Sequence, residues 1–187
     1  RTPQINYRFL NKDIFRKIVF ITGAGGSIGN ELCKQIIKMK PSKLILLEIS
    51  ESSLYLTMNN LGEIIRKNSK LKKIKIVPLL GSVNDQNFIS NIFKKYKPYI
   101  IYHAAAYKHV PLVEGNLIEG MKNNVIGTFI CATEAAKNRV SKFLLISTDK
   151  AVRPTNIMGV SKRISEMILQ AKFEEQTNSK NKKNQTK

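Results

Sequence analysis

Residues 147 to 162 read "STDKAVRPTNIMGVSK". Thr148, Asp149 and Lys150 set a hydroxyl, a carboxyl and an amine side by side. Those three groups together are candidates for general acid–base work on a bound substrate. In a strand, Thr148 and Lys150 share a face and Asp149 points away, so all three converge only if the chain turns here. A lysine base has to be neutral, and lowering it by roughly three units from its usual 10.4 or so demands about 4 kcal/mol. Burial and the positive charge of Lys162 push that way, and an ionised Asp149 pushes back. A protonated Asp149 removes the opposition and is the form an acid requires. Met158 stands four residues before Lys162, on one helix face, with no proton to offer. The bland alternatives are a polar turn after a strand for the first three and core packing for Met158.

A second segment, "TGAGGSIG" (Thr22 to Gly29), follows an apolar run and opens a helical pattern. Gly23, Gly26 and Gly29 are spaced by threes, with Gly25 as an extra. Glycines there permit a tight turn, let backbone N–H groups reach a pyrophosphate and let helix pack close on strand. The start of the helix, at Ser27 and Ile28, adds partial positive charge. Together these point to a dinucleotide. Glu48 ends the next apolar run and can accept hydrogen bonds from both adenosine ribose hydroxyls while repelling a 2′-phosphate. No arginine stands in "LLEISESS", so NAD is favoured over NADP. Ser82 and Val83 in "GSVND" fall where the adenine should lie, and Ala104, Ala105 and Ala106 in "HAAAY" are small enough for a cofactor to cross. In "YKHVPLVEGN", Lys108 could reach cofactor or phosphate. His109 and Glu114 there contact sugar or cap the next helix.

The elements that position these residues are short apolar runs alternating with helical patterns. Candidate strands are 17–22, 43–48, 74–80, 99–104 and 142–147. Between them, apolar residues recur at helical spacing: Ile28, Leu32, Ile36, Met39; then Leu54, Met58, Leu61, Ile65; later Ile164, Met167, Ile168, Ala171. This alternation predicts an α/β fold, a Rossmann-like doubly wound parallel sheet ordered 3-2-1-4-5. Residues 1–13 read as a polar linker, 14–175 as the dinucleotide-binding domain, and 176–187 as a disordered polar tail.

The chain has 187 residues, 42% of them hydrophobic, enough for one domain with a real core. The net charge of +19 comes mostly from lysine without a base-stacking signature, so nucleic acid is not the expected partner. Cys33 and Cys131 are read as lone buried thiols in a reducing compartment, and with His103 and His109 as the whole histidine complement no metal site is expected. No stretch is apolar for the roughly 18 residues a membrane helix needs.

"GAGGSIGNELCKQI", "HAAAYKHVPLVEGN", "NNVIGT" and "STDKAVRPTNIMGVSKR" together resemble the nucleotide-sugar 4,6-dehydratases of the CapD-like polysaccharide-biosynthesis family. These are extended short-chain dehydrogenases acting on UDP-N-acetylglucosamine. The likeness runs from about residue 1 to 176. Most such dehydrogenases carry tyrosine where this chain has Met158, and the long, membrane-anchored branch of the family carries methionine. The resemblance implies a lyase that oxidises C4, eliminates water across C5 and C6 with retained configuration, and returns the hydride to C6. It assigns Thr148 to the C4 oxygen, Asp149 as acid at C6, Lys150 as base at C5 and Lys162 to the nicotinamide ribose. Asn124 in "NNVIGT" matches the family's helix asparagine that steadies the backbone beside the cofactor. It further implies a homo-oligomer at the cytoplasmic face of the inner membrane, membrane contact only through regions outside this chain, and a C-terminal substrate lobe also outside it. A UDP-sugar epimerase or reductase, or a non-catalytic NAD-binding module, are the alternatives.

Overall fold

The structure, a computed structural model, describes residues 7–185. Five parallel strands form the sheet: β1 (Ile18–Thr22), β2 (Lys43–Glu48), β3 (Lys75–Leu80), β4 (Ile100–His103) and β5 (Lys142–Leu145). Their order is β3-β2-β1-β4-β5, as the alternating pattern predicts. The helices are α1 (Tyr7–Ile14), α2 (Ser27–Lys38), α3 (Glu51–Lys67), α4 (Gln86–Tyr96), α5 (Val110–Gly115), α6 (Leu117–Met121), α7 (Gly127–Lys137) and α8 (Ile157–Gln185).

Strand side chains alternate between the two faces. Val19, Ile21, Leu44 and Leu46 pack with Cys33, Ile36 and Ile37 of α2 and Leu54 and Leu61 of α3. Phe20, Ile45, Leu47 and Ile101 pack with Ile89 and Phe93 of α4 and Ile130 and Cys131 of α7. Central strands covered on both sides explain the unbroken apolar runs in β1, β2 and β4. Pro78 is tolerated because β3 is an edge strand. Each cysteine is a free, buried thiol, one in each core.

Three expectations about organisation need correction. The linker expected over 1–13 contains α1 from Tyr7 onward, since no glycine or proline interrupts 4–22; residues 1–6 lie outside the described range. The tail expected to be disordered from 176 continues α8 to Gln185, because nothing after Gly159 breaks a helix. Finally, α8 does not bury the Ile164, Met167, Ile168, Ala171 stripe. It buries Ser161, Lys162 and Ser165, leaving Met167 54% exposed. Polar side chains take the inner face because they have partners there: Ser165 donates to the carbonyls of Asn124 and Ser161, and Ser161 to that of Met158. Among the described residues, no helix is long and apolar enough to cross a membrane.

Candidate active site

All five strands end along one edge, and the glycine turn leaves β1 there, at the switch point between β1 and β4 where open α/β sheets bind ligands. Gly23 has φ +65°, and a Cβ on it would sit 2.6 Å from the Ala105 nitrogen. A Cβ on Gly29 would fall 1.9 Å from the Gly23 carbonyl oxygen. The turn therefore packs backbone against backbone. The first amides of α2 have no side-chain cap, and Lys108 lays its ammonium 3.3 Å from the Ser27 hydroxyl at the same point. Uncapped amides beside a cation make an anion cradle.

Two cavities meet over this turn, sharing Gly26, Ala104 and Ala106. The first, about 180 Å³, is lined by Gly23, Gly25, Glu48, Ser82, Val83 and Ala105, with Ser53 and Tyr107. Glu48 forms its carboxylate floor. One oxygen accepts from the Gly25 N–H at 2.8 Å; the other accepts from Ile49 and Ser50. The second cavity, about 300 Å³, gathers Ser27, Ile28, Gly29, Lys108, Thr148, Lys150, Met158 and Lys162. Ile28, expected on the packing face of α2, is instead 50% exposed and belongs to this wall.

The segment of Thr148, Asp149 and Lys150 is a 3-10 turn capped by Thr148, so the chain does bend as convergence requires. Thr148 and Lys150 reach the cavity; Asp149 is not among its lining residues. The Asp149 carboxylate accepts from the Thr148 hydroxyl and the Lys150 N–H, each at 2.9 Å, and is exposed. Lys150 is exposed too, so the burial asked of a lysine base falls on Lys162 instead. Lys162 is 7% exposed, donates to the Ile146 carbonyl at 2.9 Å, and is pushed by burial down to about 8, with Glu166 opposing. Met158 is buried against the core and forms cavity wall at once.

Two residues expected at the cofactor site, Thr22 and Asn124, are built into the frame. Thr22 is fully buried: its hydroxyl accepts from the Ala105 N–H and bonds His103 Nδ1 at 2.7 Å. Asn124 is 1% exposed and lies in a π-helical turn, Lys122–Ile126, a distortion found often at functional sites. Its amide accepts from the Tyr107 N–H and donates to the Tyr107 carbonyl and the Ser161 hydroxyl. It holds the loop at Tyr107 against α8. Lys108 and His109 line a third cavity of about 480 Å³ under α5. His109 caps α5 by backbone position without a side-chain bond; Glu114 lies exposed on α5 and lines none of the three cavities.

Sequence reasoning missed His103 and Glu166. His103 is fully buried, and its Nε2 bonds the Thr128 hydroxyl, which donates to the Asn124 carbonyl. Since Thr128 donates onward, His103 must carry its proton on Nε2 and accept from Thr22 at Nδ1. Burial, aided by the charge of Lys162, holds it neutral, pushed down to about 3. Glu166 accepts from the Ser147 hydroxyl at 2.6 Å and pairs with Arg163 at 3.1 Å, tying the turn before Thr148 to α8.

With this geometry in place, comparison with known proteins gives a match to the polysaccharide biosynthesis protein family over residues 19–186. The chain belongs to that family. It is 42% identical over 168 residues to the capsular polysaccharide biosynthesis protein CapD of Staphylococcus aureus, covering 90% of this chain and 27% of CapD. It is 44% identical over 153 residues to the probable polysaccharide biosynthesis protein EpsC of Bacillus subtilis, covering 82% of this chain and 25% of EpsC. This polysaccharide biosynthesis chain thus spans about a quarter of each relative's length. Its fold matches the UDP-glucose 4-epimerase of Bifidobacterium longum, solved with NAD+ and UDP, with TM-score 0.70 and 20% identity over 82% of this chain and 48% of the epimerase.

Proposed function

We propose that this chain is the NAD-binding and catalytic-strand part of a nucleotide-sugar 4,6-dehydratase acting on UDP-N-acetylglucosamine. One observation carries the reading: Thr148, Lys150, Met158 and Lys162 share a cavity with the uncapped helix start of the glycine turn. The residues fit a dinucleotide. The α2 amides and Lys108 suit a pyrophosphate, and the Glu48 carboxylate suits ribose hydroxyls. No arginine lines either cavity to receive a 2′-phosphate, which favours NAD. The NAD+ carried by the structurally similar epimerase supports the same choice.

When bound, NAD supplies a hydride acceptor for C4 and a hydride donor for C6. Every other step falls to side chains of the chain. Thr148 bonds the C4 oxygen, Lys150 removes the C5 proton that the ketone has acidified and returns it to C5 as C6 gains hydride, and Asp149 protonates the departing C6 oxygen. Lys162 holds the nicotinamide ribose and adds positive charge. Met158 offers the sugar an apolar wall in place of a tyrosine hydroxyl, so the proton of the C4 hydroxyl leaves through Thr148, Asp149 or an ordered water.

The test is to incubate the complete protein with UDP-N-acetylglucosamine and follow product mass. Loss of one water supports the dehydratase, and Asp149→Asn should abolish it. A product of unchanged mass but altered C4 configuration would select a 4-epimerase, and NAD binding without product would select a non-catalytic module.

A further inference from the structure

In a parallel sheet every strand starts at the same edge, so the five segments entering the strands lie together, opposite the cofactor cleft. Those segments, 15–17, 39–42, 68–74, 97–99 and 138–141, contain no aspartate or glutamate. Each carries at least one lysine or arginine. Arg16, Lys40, Lys97 and Arg139 occupy left-handed conformations, φ 47° to 57°, at positions glycine usually fills. All four are exposed.

The strand register extends the edge. Lys43 pairs with Ile18 and Lys75, and Lys142 pairs with Ile100, so the first positions of β2, β3 and β5 are lysines. Backbone bonds lace neighbouring segments into one rim: Arg16 to Lys40, Ser42 to Lys17, Lys75 to Ser42 and Ser141 to Tyr99. The rim is about 19 Å across at the usual strand spacing. The helix dipole accounts for cations in final turns, such as Lys38, Lys94 and Lys95. It extends to Lys40, Lys97 and Arg139, which follow the last turns of α2, α4 and α7, but not to Lys17, Lys70, Lys72 and Lys73 or to the lysines at strand starts. Asp13, at the end of α1, is neutralised by Lys142.

We propose that this edge docks the chain on a bilayer surface rich in anionic lipid, leaving the cofactor cleft facing away. The charges are mainly lysine ammoniums on a broad rim, which suits a diffuse plane of phosphates. Single-stranded nucleic acid needs open aromatic faces to stack on. Here Tyr96 is covered by Lys43 and Lys95, at 5.1 and 5.2 Å, and Tyr99 by Lys17 at 4.7 Å. Phe15, 42% exposed beneath Arg16, adds an apolar ring that can enter the headgroup layer. This places a membrane contact on the chain itself, where the sequence reading assigns such contact to other regions.

The experiment is co-sedimentation of the chain with vesicles of phosphatidylcholine alone, or mixed three to one with phosphatidylglycerol. One variant combines Lys40→Gln, Lys73→Gln and Lys97→Gln. A control with the same net charge combines Lys122→Gln, Arg153→Gln and Arg163→Gln, near the cofactor cleft. At about fivefold per amine, the rim variant should bind the mixed vesicles about a hundredfold more weakly. The control should change only a few-fold, neutral vesicles should bind nothing, and high salt should release the protein. Thermal unfolding shows that both variants fold. Equal weakening in the two variants, binding to neutral vesicles, or no binding to the mixed ones overturns the proposal. So does a short RNA duplex that binds more tightly than the vesicles and loses more from the rim variant.

Discussion

Lys162 offers a direct measurement of how dry the wall of the second cavity is. Its folded pKa of about 8 lies below the ordinary value of 10.5, so the fold penalises its charged form. Below about pH 8 both states hold the proton and the full penalty applies. Between about 8 and 10.5 the unfolded chain keeps the proton and the folded chain has lost it, so stability rises with pH. Taking the two values, the gain from about pH 7 to about pH 9.5 is about 2 kcal/mol. Other groups titrate in that range, so the quantity to read is a difference: urea unfolding of the unmodified chain and of Lys162→Met at both pH values. The unmodified chain should gain about 2 kcal/mol more than the variant. Equal slopes would refute the buried-amine argument. Glu166→Gln removes the carboxylate that raises the Lys162 pKa while keeping an oxygen for Ser147, so its rise should begin at lower pH.

Gly29→Ala forces a Cβ against the Gly23 carbonyl at 1.9 Å, and should cost about 2 kcal/mol or more and abolish NAD binding by titration calorimetry. Asn124→Ala leaves both backbone groups of Tyr107 unpaired and should lower stability by about 3 kcal/mol in urea melts. Lys97→Gly relieves a left-handed residue at the end of α4 (φ 47°) and should raise stability by about 1 kcal/mol, read as a melting shift of a few degrees.

The sheet was legible because two signals agree in it. Strands covered on both faces are apolar throughout, and right-handed crossovers then leave one order for five alternating units. The inner face of α8 was not legible. Periodicity selects Ile164, Met167, Ile168 and Ala171, but the position of α8 beside the π-helical turn gives Ser161 and Ser165 better partners than solvent. His103 was opaque for a related reason. Its partners Thr22 and Thr128 lie 81 and 25 residues away, and no local pattern announces them.

The frame and the chemistry differ in burial, and the difference bears on mechanism. Thr22, His103, Thr128 and Asn124 form one buried hydrogen-bonded line from the glycine turn to the loop at Tyr107. Every donor in that line has an acceptor, so the cofactor wall is set before any ligand arrives. Asp149 and Lys150 are exposed on a turn that Glu166 fixes through Ser147. On the proposed reading, the desolvation that makes Lys150 a base then has to come from the sugar lying against Met158 and Thr148. An amine that loses its water only when a sugar lies over it would take the C5 proton only then. That ordering protects the chemistry from idle proton exchange with water.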